Sequence, residues 1–270
     1  MSSYYLLGGE PSERERLRLQ SLVWEPASRA LFDAIPVQRG WRCADVGCGA
    51  LGVLRALAER TGAEGEVIGY DVDETLLASA RDFLATESLD PIARVEQRDL
   101  FAGELPREAF DLVHMRFMLA PIGRESELLT RALELCKPGG VFVSQEPDSA
   151  SWSLLPPFGA FDRLRQIILA AFRAGGGDFD AGRRTFALLR DHGLENVSVR
   201  AAIEALPLGH PYLRVVIQFA TALRKRILEH GLATAVELDA LTADVEQALA
   251  SRAGTTFVVT QVWGTKPAHS

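Results

Sequence analysis

WRCADVGCGALGVLRALAERTGAEGEVIGYD, residues 41–71, reads as strand, glycine loop, helix and a second strand ending in a carboxylate. Cys43, Ala44 and Val46 give a short apolar strand. Gly47 and Gly49 leave room for a tight turn and for close backbone approach, and residues 53–58 continue as a helix whose free N–H groups point back at the loop. The apolar run 67–70 then delivers Asp71 to the same edge, where a carboxylate can accept hydrogen bonds from both hydroxyls of a ribose. A unit of this kind holds a nucleotide-like cofactor. Gly47, Gly49 and Gly52 satisfy G-x-G-x-x-G, and Asp71 stands about 20 residues further on, as the dinucleotide fingerprint expects.

Downstream, strands and helices alternate. Residues 75–86 carry apolar positions at helical spacing behind Asp73 as a cap, 93–97 form a short strand leading to Asp99 and Leu100, and 110–115 form the next strand. A helix over 125–136 stops at Lys137 and Pro138, and Gly139 and Gly140 turn the chain into a strand at 141–144. Such alternation implies an α/β fold with a parallel, doubly wound sheet that binds ligands at the carboxyl ends of its strands. Residues 146–177, with Trp152, Pro156, Pro157, a helix over 160–173 and three successive glycines, read as a mobile insert forming a lid or substrate wall. A helix at 182–191, a strand at 197–203, a long helical insertion at 212–250 and a last strand at 257–263 follow.

Ahead of the first strand, Ser12 and Glu15 form a capping box for one helix, and residues 26–35 form a second. This layer either covers the cofactor cleft, with Tyr5 and Gln20 as the residues reaching it, or fills the flank of the sheet. The expected division is a helical cap (1–39), a core (40–149, 178–206 and 254–266) and helical lid insertions (150–177 and 207–253), together one composite domain.

Composition narrows the class of function. A chain of 270 residues with 47% hydrophobic content can bury a full core, and a net charge of −7 without any Lys/Arg run speaks against nucleic acid as the partner. The three cysteines, Cys43, Cys48 and Cys136, lack a paired metal spacing and are expected as free thiols in a reducing cytosol. No apolar stretch approaches the length of a membrane span, and MSSYYLLGGE lacks the features of a signal peptide, so a cytoplasmic protein without membrane contact is expected.

Three features bear on which cofactor the loop holds. Asp45, two residues before the first glycine, suits a positively charged ligand and is unfavourable beside a pyrophosphate. Asp99 with Leu100 is placed to take an adenine amino group and cover the ring, and a terminal strand pair surrounds a helical insertion. The set DVGCGALG (45–52), GYDVD (69–73), RDL (98–100), FDLVHMR (110–116) and KPGG (137–140), in this order, resembles the class I S-adenosylmethionine-dependent methyltransferases, closely over about residues 40–150 and by layout over 180–264. The resemblance implies a Rossmann-like, mainly parallel seven-stranded sheet with an antiparallel last strand, and methyl transfer from S-adenosylmethionine, leaving S-adenosylhomocysteine, to a small molecule. It implies that Gly47, Cys48 and Gly49 line the methionine and ribose, with Asp45 near the amino group. Asp71 would take the ribose hydroxyls, Val72 cover the adenine, Asp99 and Leu100 meet its edge, and Met115 and Arg116 contact the methionine end. The family's usual loop is G-x-G-x-G; here Leu51 stands at the third glycine and Gly52 comes one place late. A nicotinamide-dependent oxidoreductase and a non-methylating protein that binds the same cofactor are the rival readings.

Methyl transfer from a sulfonium is an in-line displacement, for which alignment in a dry pocket is the main requirement and a base is optional. Glu146, at the ligand edge after its strand, is the leading base candidate, with a structural or substrate-positioning carboxylate as the equal reading, and Asp148 is its weaker neighbour. His114 and His210 are the other catalytic candidates: His114 lies within a strand, where a core histidine is the competing reading, and His210 lies in a loop before the helical insertion, either reaching into the cleft or exposed. Trp152, Phe158, Phe161, Phe179, Tyr212 and Phe219 in the inserts favour an apolar or aromatic acceptor, or are the inserts' own packing. The segment 115–121 holds no acid, so no metal is expected, and a homodimer is left open.

Overall fold

The computed structural model describes residues 11–268. Helix α1 (Pro11–Ala34) leads into β1 (Arg42–Val46), α2 (Leu54–Thr61), β2 (Glu66–Asp71), α3 (Glu74–Thr86), β3 (Ala93–Gln97), β4 (Phe110–Arg116), the short α4 (Leu119–Ile122), α5 (Glu125–Leu135) and β5 (Cys136–Asp148). Then come β6 (Ser153–Leu155), α6 (Gly159–Ala174), α7 (Gly182–Asp191), β7 (Glu195–Ala202), β8 (Ala205–Leu206), α8 (Val215–Ala222), α9 (Arg224–Glu229), α10 (Ala235–Leu249), β9 (Ala253–Thr255) and β10 (Val258–Thr265). The main sheet has seven strands in the order β3-β2-β1-β4-β5-β10-β7. Strands β1 to β5 pair in parallel, and β10 runs antiparallel to both its neighbours. Strand order reverses between β1 and β4, and the carboxyl ends there form the crevice where such sheets bind ligands.

The strands are continuous apolar runs because both faces are covered. On one face Cys43, Leu112 and Val143 pack under α2, α3 and the end of α1; on the other, Ala44, Val46, Val113 and Met115 pack under α5. One step toward the carboxyl ends, the face beneath α1 turns polar: Asp45 on β1, His114 on β4, Gln145 on β5 and Gln261 on β10 are all buried. Sequence alternation thus gives the sheet an apolar row and, beside the crevice, a polar one.

Four expectations are revised. Residues 11–34 form one helix instead of two; Pro26 lies inside it and removes only its own N–H bond, while Trp24 and Ala27 on one side and Leu31 and Phe32 on the other anchor both halves. The 212–250 insertion is broken into α8, α9 and α10, and β5 is far longer than 141–144 because β10 pairs along it. The insert at 146–177 is tightly packed: Trp152 is buried and stacks on Phe179 with centroids 5.3 Å apart, inside an aromatic cluster with Phe161, Phe219 and Phe257. The small sheet β6-β9-β8 ties it to the later insertion. Among the described residues no helix is long and apolar enough to cross a membrane.

Since Trp152 meets four other rings, Trp152→Ala is expected to cost roughly 3–5 kcal/mol of stability, read as a lowered midpoint of urea unfolding. A midpoint within error of the parent would mean the inserts fold independently of this cluster.

Candidate functional site at the carboxyl ends of the parallel strands

Asp45 organises the glycine loop. Its Oδ2 accepts a hydrogen bond from Val53 N at 2.9 Å, capping the start of α2, and its Oδ1 lies 2.7 Å from Nδ1 of His114. Gly52 makes this possible, because a Cβ there would fall 2.1 Å from Asp45 Oδ2 and the backbone has φ +50°. The glycine found one place late is therefore the one the carboxylate needs. Three further loop N–H groups are engaged: Gly47 N and Cys48 N donate to Tyr70 O, and Gly49 N donates to Asp71 Oδ2 at 2.8 Å. The sequence reading expected free helix N–H groups pointing back at the loop; the carboxylate of Asp45 takes the one at Val53, and that of Asp71 takes the one at Gly49 in the loop itself.

What the loop does offer is space. Gly49 has φ +57° and nothing within 4 Å of where a Cβ would lie. Beside it Asp71, at the end of β2, is held by Gly49 N and Asp73 N, one on each oxygen, and each oxygen retains a lone pair for a further donor. Burial pushes the Asp71 carboxyl up, against the pull of those backbone donors. Val72 follows with 39% of its surface exposed. Asp99 Oδ1 caps its own turn through Phe101 N, and the Leu100 side chain is buried. Cys48 keeps its backbone at the loop while its thiol is buried, against the face of β2 where Gly69 leaves no room for a Cβ.

At the end of β4 the Met115 side chain belongs to the core, so only its backbone reaches the crevice. Arg116 donates to Ser28 Oγ and Ser21 Oγ of α1, at 3.2 and 3.3 Å. Its burial pulls the guanidinium down, and among the described residues no carboxylate lies within 4 Å of it. The chain then turns through Phe117, with φ +58°.

Glu146 holds that turn. It is fully buried, its Oε1 accepts from Met118 N and Leu119 N at 3.0 Å, and its Oε2 accepts from Ala120 N at 3.2 Å. Burial pushes its carboxyl up to about 8 in spite of these donors. The carboxylate thus caps α4 and fixes a loop wall, which is the structural side of the sequence reading.

His114 sits in a buried chain of hydrogen bonds. Gln261 Nε2 donates to Gln145 Oε1 at 2.6 Å, which turns the Gln145 nitrogen to His114 Nε2 at 2.8 Å. His114 Nε2 is therefore an acceptor, and Nδ1–H donates to Asp45. Ser28 of α1 bonds Gln145, and Gln261 also donates to the carbonyl of Ala27, so the chain runs from the glycine loop to α1. His210 accepts from Tyr212 N through Nδ1 and caps a 3-10 turn. Among the sequence candidates, Glu146, His114 and His210 are all occupied in such structural bonds. Tyr5 lies outside the described residues.

Next to the crevice is a small pocket, open to solvent on one side, lined by Phe117, Phe172, Phe179, Phe219 and Phe257, with Ala120, Pro121 and Pro147 on the Glu146 side. Arg16 and Gln20 of α1 complete its wall. The sequence reading placed Gln20 on the cofactor; the structure places it on this cavity. Phe117, Phe172, Phe257 and Arg16 were missed, because they come from four different segments and no local pattern marks them as neighbours.

A family model described as a methyltransferase domain matches residues 38–167. A trans-aconitate 2-methyltransferase from Variovorax paradoxus is 30% identical over 175 residues, covering 55% of this chain and 64% of that one. A ubiquinone/menaquinone biosynthesis C-methyltransferase from Idiomarina loihiensis is 30% identical over 144 residues, covering 52% and 57%. The chain thus spans about three fifths of the length of these curated relatives. Among solved structures, a SAM-dependent methyltransferase from Aquifex aeolicus superposes with a TM-score of 0.54 at 14% identity, covering 96% of this chain and all of the other, a likeness of fold. The sheet order, the loop and Asp71 define a Rossmann-like methyltransferase fold. Residues 38–167 thus match a methyltransferase domain, and over about half its length the chain is similar to S-adenosylmethionine-dependent methyltransferases.

The raised Glu146 carboxyl has a consequence for stability. Its proton is held more tightly in the folded chain than in the unfolded one, so its contribution is complete below about pH 4.5 and is lost as pH rises through about 8. The stability advantage of the parent over Glu146→Gln is expected to shrink between about pH 5 and about pH 9 in urea titrations. A difference that stays flat across that range would remove the assignment.

Proposed function

We propose that this protein transfers a methyl group from S-adenosylmethionine to a small acceptor with an apolar or aromatic body. The observation that carries the reading is the Asp45 carboxylate on the N-terminus of α2, which occupies the place where a dinucleotide's pyrophosphate would dock and leaves an acidic loop suited to a cationic nucleoside. The open face of Gly49, the free lone pairs of Asp71 and the exposed Val72 fit such a ligand, and Arg116, bonded to two serines and without a carboxylate partner among the described residues, fits its carboxylate. Both curated relatives carry the names of enzymes acting on small molecules, which supports an acceptor of that size.

When bound, S-adenosylmethionine supplies a methyl group on a positively charged sulfur. Asp71 would hold the ribose, Val72 and Leu100 flank the base beside Asp99, and the backbone from Gly47 to Gly49 with Arg116 hold the amino-acid end. The phenylalanine-lined cavity excludes water and orients the acceptor, which is how a displacement of this kind is accelerated without a base. Glu146, His114 and His210 do not line that cavity, so this reading assigns them positioning of the β4–α4 turn, of the glycine loop and of a 3-10 turn.

Asp71→Ala is expected to weaken S-adenosylmethionine binding by roughly 1.5–3 kcal/mol, the scale of hydrogen bonds to a charged group, as read by calorimetry. Parent-like affinity in the variant would displace Asp71 from its role. Methyl-labelled cofactor incubated with a panel of acceptors reads the activity itself; tight cofactor binding without transfer of label to any of them would favour the non-methylating alternative, and binding of NADH in its place the oxidoreductase.

A further inference from the structure

The polar side of the phenylalanine cavity has a fixed hydrogen-bond sense. Arg16 and Gln20 stand one turn apart on α1, at 2% and 7% exposure, and Arg16 Nη1 donates to Gln20 Oε1 at 2.8 Å. A guanidinium has only donors, so Gln20 must turn its oxygen to Arg16 and its –NH2 the other way. Arg16 is itself held over the face of Phe219, with Cζ 5.0 Å from the ring centroid, so the amide cannot gain by flipping. Among the described residues Gln20 Nε2 has no protein partner, and it is not among the sealed, unpartnered polar atoms, which are Ser144 Oγ, Gln218 Oε1, Arg252 Nε and Gln261 Oε1. An amide that lines a cavity, fixed at its oxygen and unpartnered at its nitrogen, presents two N–H groups to whatever the cavity holds.

Among the described residues the remaining lining is phenylalanine, proline and alanine, without a carboxylate or any other acceptor side chain. The wall therefore donates hydrogen bonds and accepts none through its side chains. We infer that Gln20 is a specificity-determining residue, and that the cavity selects an aromatic molecule carrying a hydrogen-bond-accepting oxygen, a carbonyl or an oxyanion, over the same skeleton without oxygen or with an ammonium group. The inference rests on reading this cavity as the acceptor site of the proposed methyl transfer. A carbonyl oxygen placed against Gln20 would satisfy a donor that an all-hydrocarbon ligand would strip of water and leave unpaired, a penalty that sites built for hydrogen bonding use to discriminate. An ammonium would meet the Arg16 charge as well.

Three probes of matched shape test this by binding alone: 2-acetylnaphthalene, 2-ethylnaphthalene and 1-(2-naphthyl)ethylamine, titrated into the full chain with S-adenosylhomocysteine present and followed by tryptophan fluorescence. The parent is expected to bind the ketone about ten-fold more tightly than the hydrocarbon and the amine most weakly. Gln20→Leu should erase the gap between ketone and hydrocarbon, and Gln20→Glu should reverse the order of ketone and amine. Equal binding of ketone and hydrocarbon by the parent overturns the inference, and so does a preference that survives in both variants. The parent measurements decide even where a variant does not fold. Calorimetry with S-adenosylmethionine, run separately, reports on the methyl-transfer reading: a chain that prefers the ketone yet binds no cofactor refutes that reading while leaving the role of Gln20 intact.

Discussion

A single carboxylate on β1 sets the geometry of this protein's ligand edge. Asp45 caps α2 through Val53 N and bonds His114, and because it reaches the helix across the loop it demands a glycine at position 52. The same carboxylate places negative charge where nucleotide-binding loops of the pyrophosphate type leave backbone donors free. Through His114, Gln145 and Gln261 it is also tied to Ser28 and Ala27 of α1. Loop shape, negative charge at the loop and docking of the N-terminal helix are thus consequences of one buried polar row, in which a change at any member leaves a neighbour unpaired.

Structure and chemistry are divided between two kinds of side chain. The titratable groups that look catalytic in the sequence are engaged in holding backbone: Glu146 by three N–H groups, His210 by one, His114 by its two neighbours. The residues that face the cavity are rings, with one arginine and one amide. For a displacement limited by alignment this division is sufficient, since the fixed wall supplies orientation and the rings supply dryness.

The segments built from local pattern were legible in the sequence. Residues 93–97 and 182–191 fold as the strand and helix their spacing indicates, and Asp73 caps α3 as its position suggests. The position of Asp71 beside the glycine loop also follows from one βαβ unit and is legible in the sequence. Two things were not. Whether Pro26 divides a helix depends on the tertiary anchors either side of it, which a linear pattern does not contain. The phenylalanine-lined cavity joins α1, the β4–α4 turn, α6, α8 and the approach to β10, so residues as distant as Arg16 and Phe257 become neighbours only through the fold. The role of Asp45 lies between these cases: its charge was readable, its contact with Val53 was not, and the displaced glycine at 52 was the visible trace of it.

The placement of β10 bears on how the chain matures. Residues 258–265 insert between β5 and β7, which precede them by many residues, and pair antiparallel with both. Until that segment leaves the ribosome, β5 and β7 each present an open edge, the kind of surface that recruits other strands. The same late segment carries Gln261 for the polar row and follows directly on Phe257 of the cavity, so the ligand edge and the acceptor wall become complete in one closing step. A nascent chain lacking that strand is therefore doubly unfinished: aggregation-prone at its sheet edges and without a formed binding site.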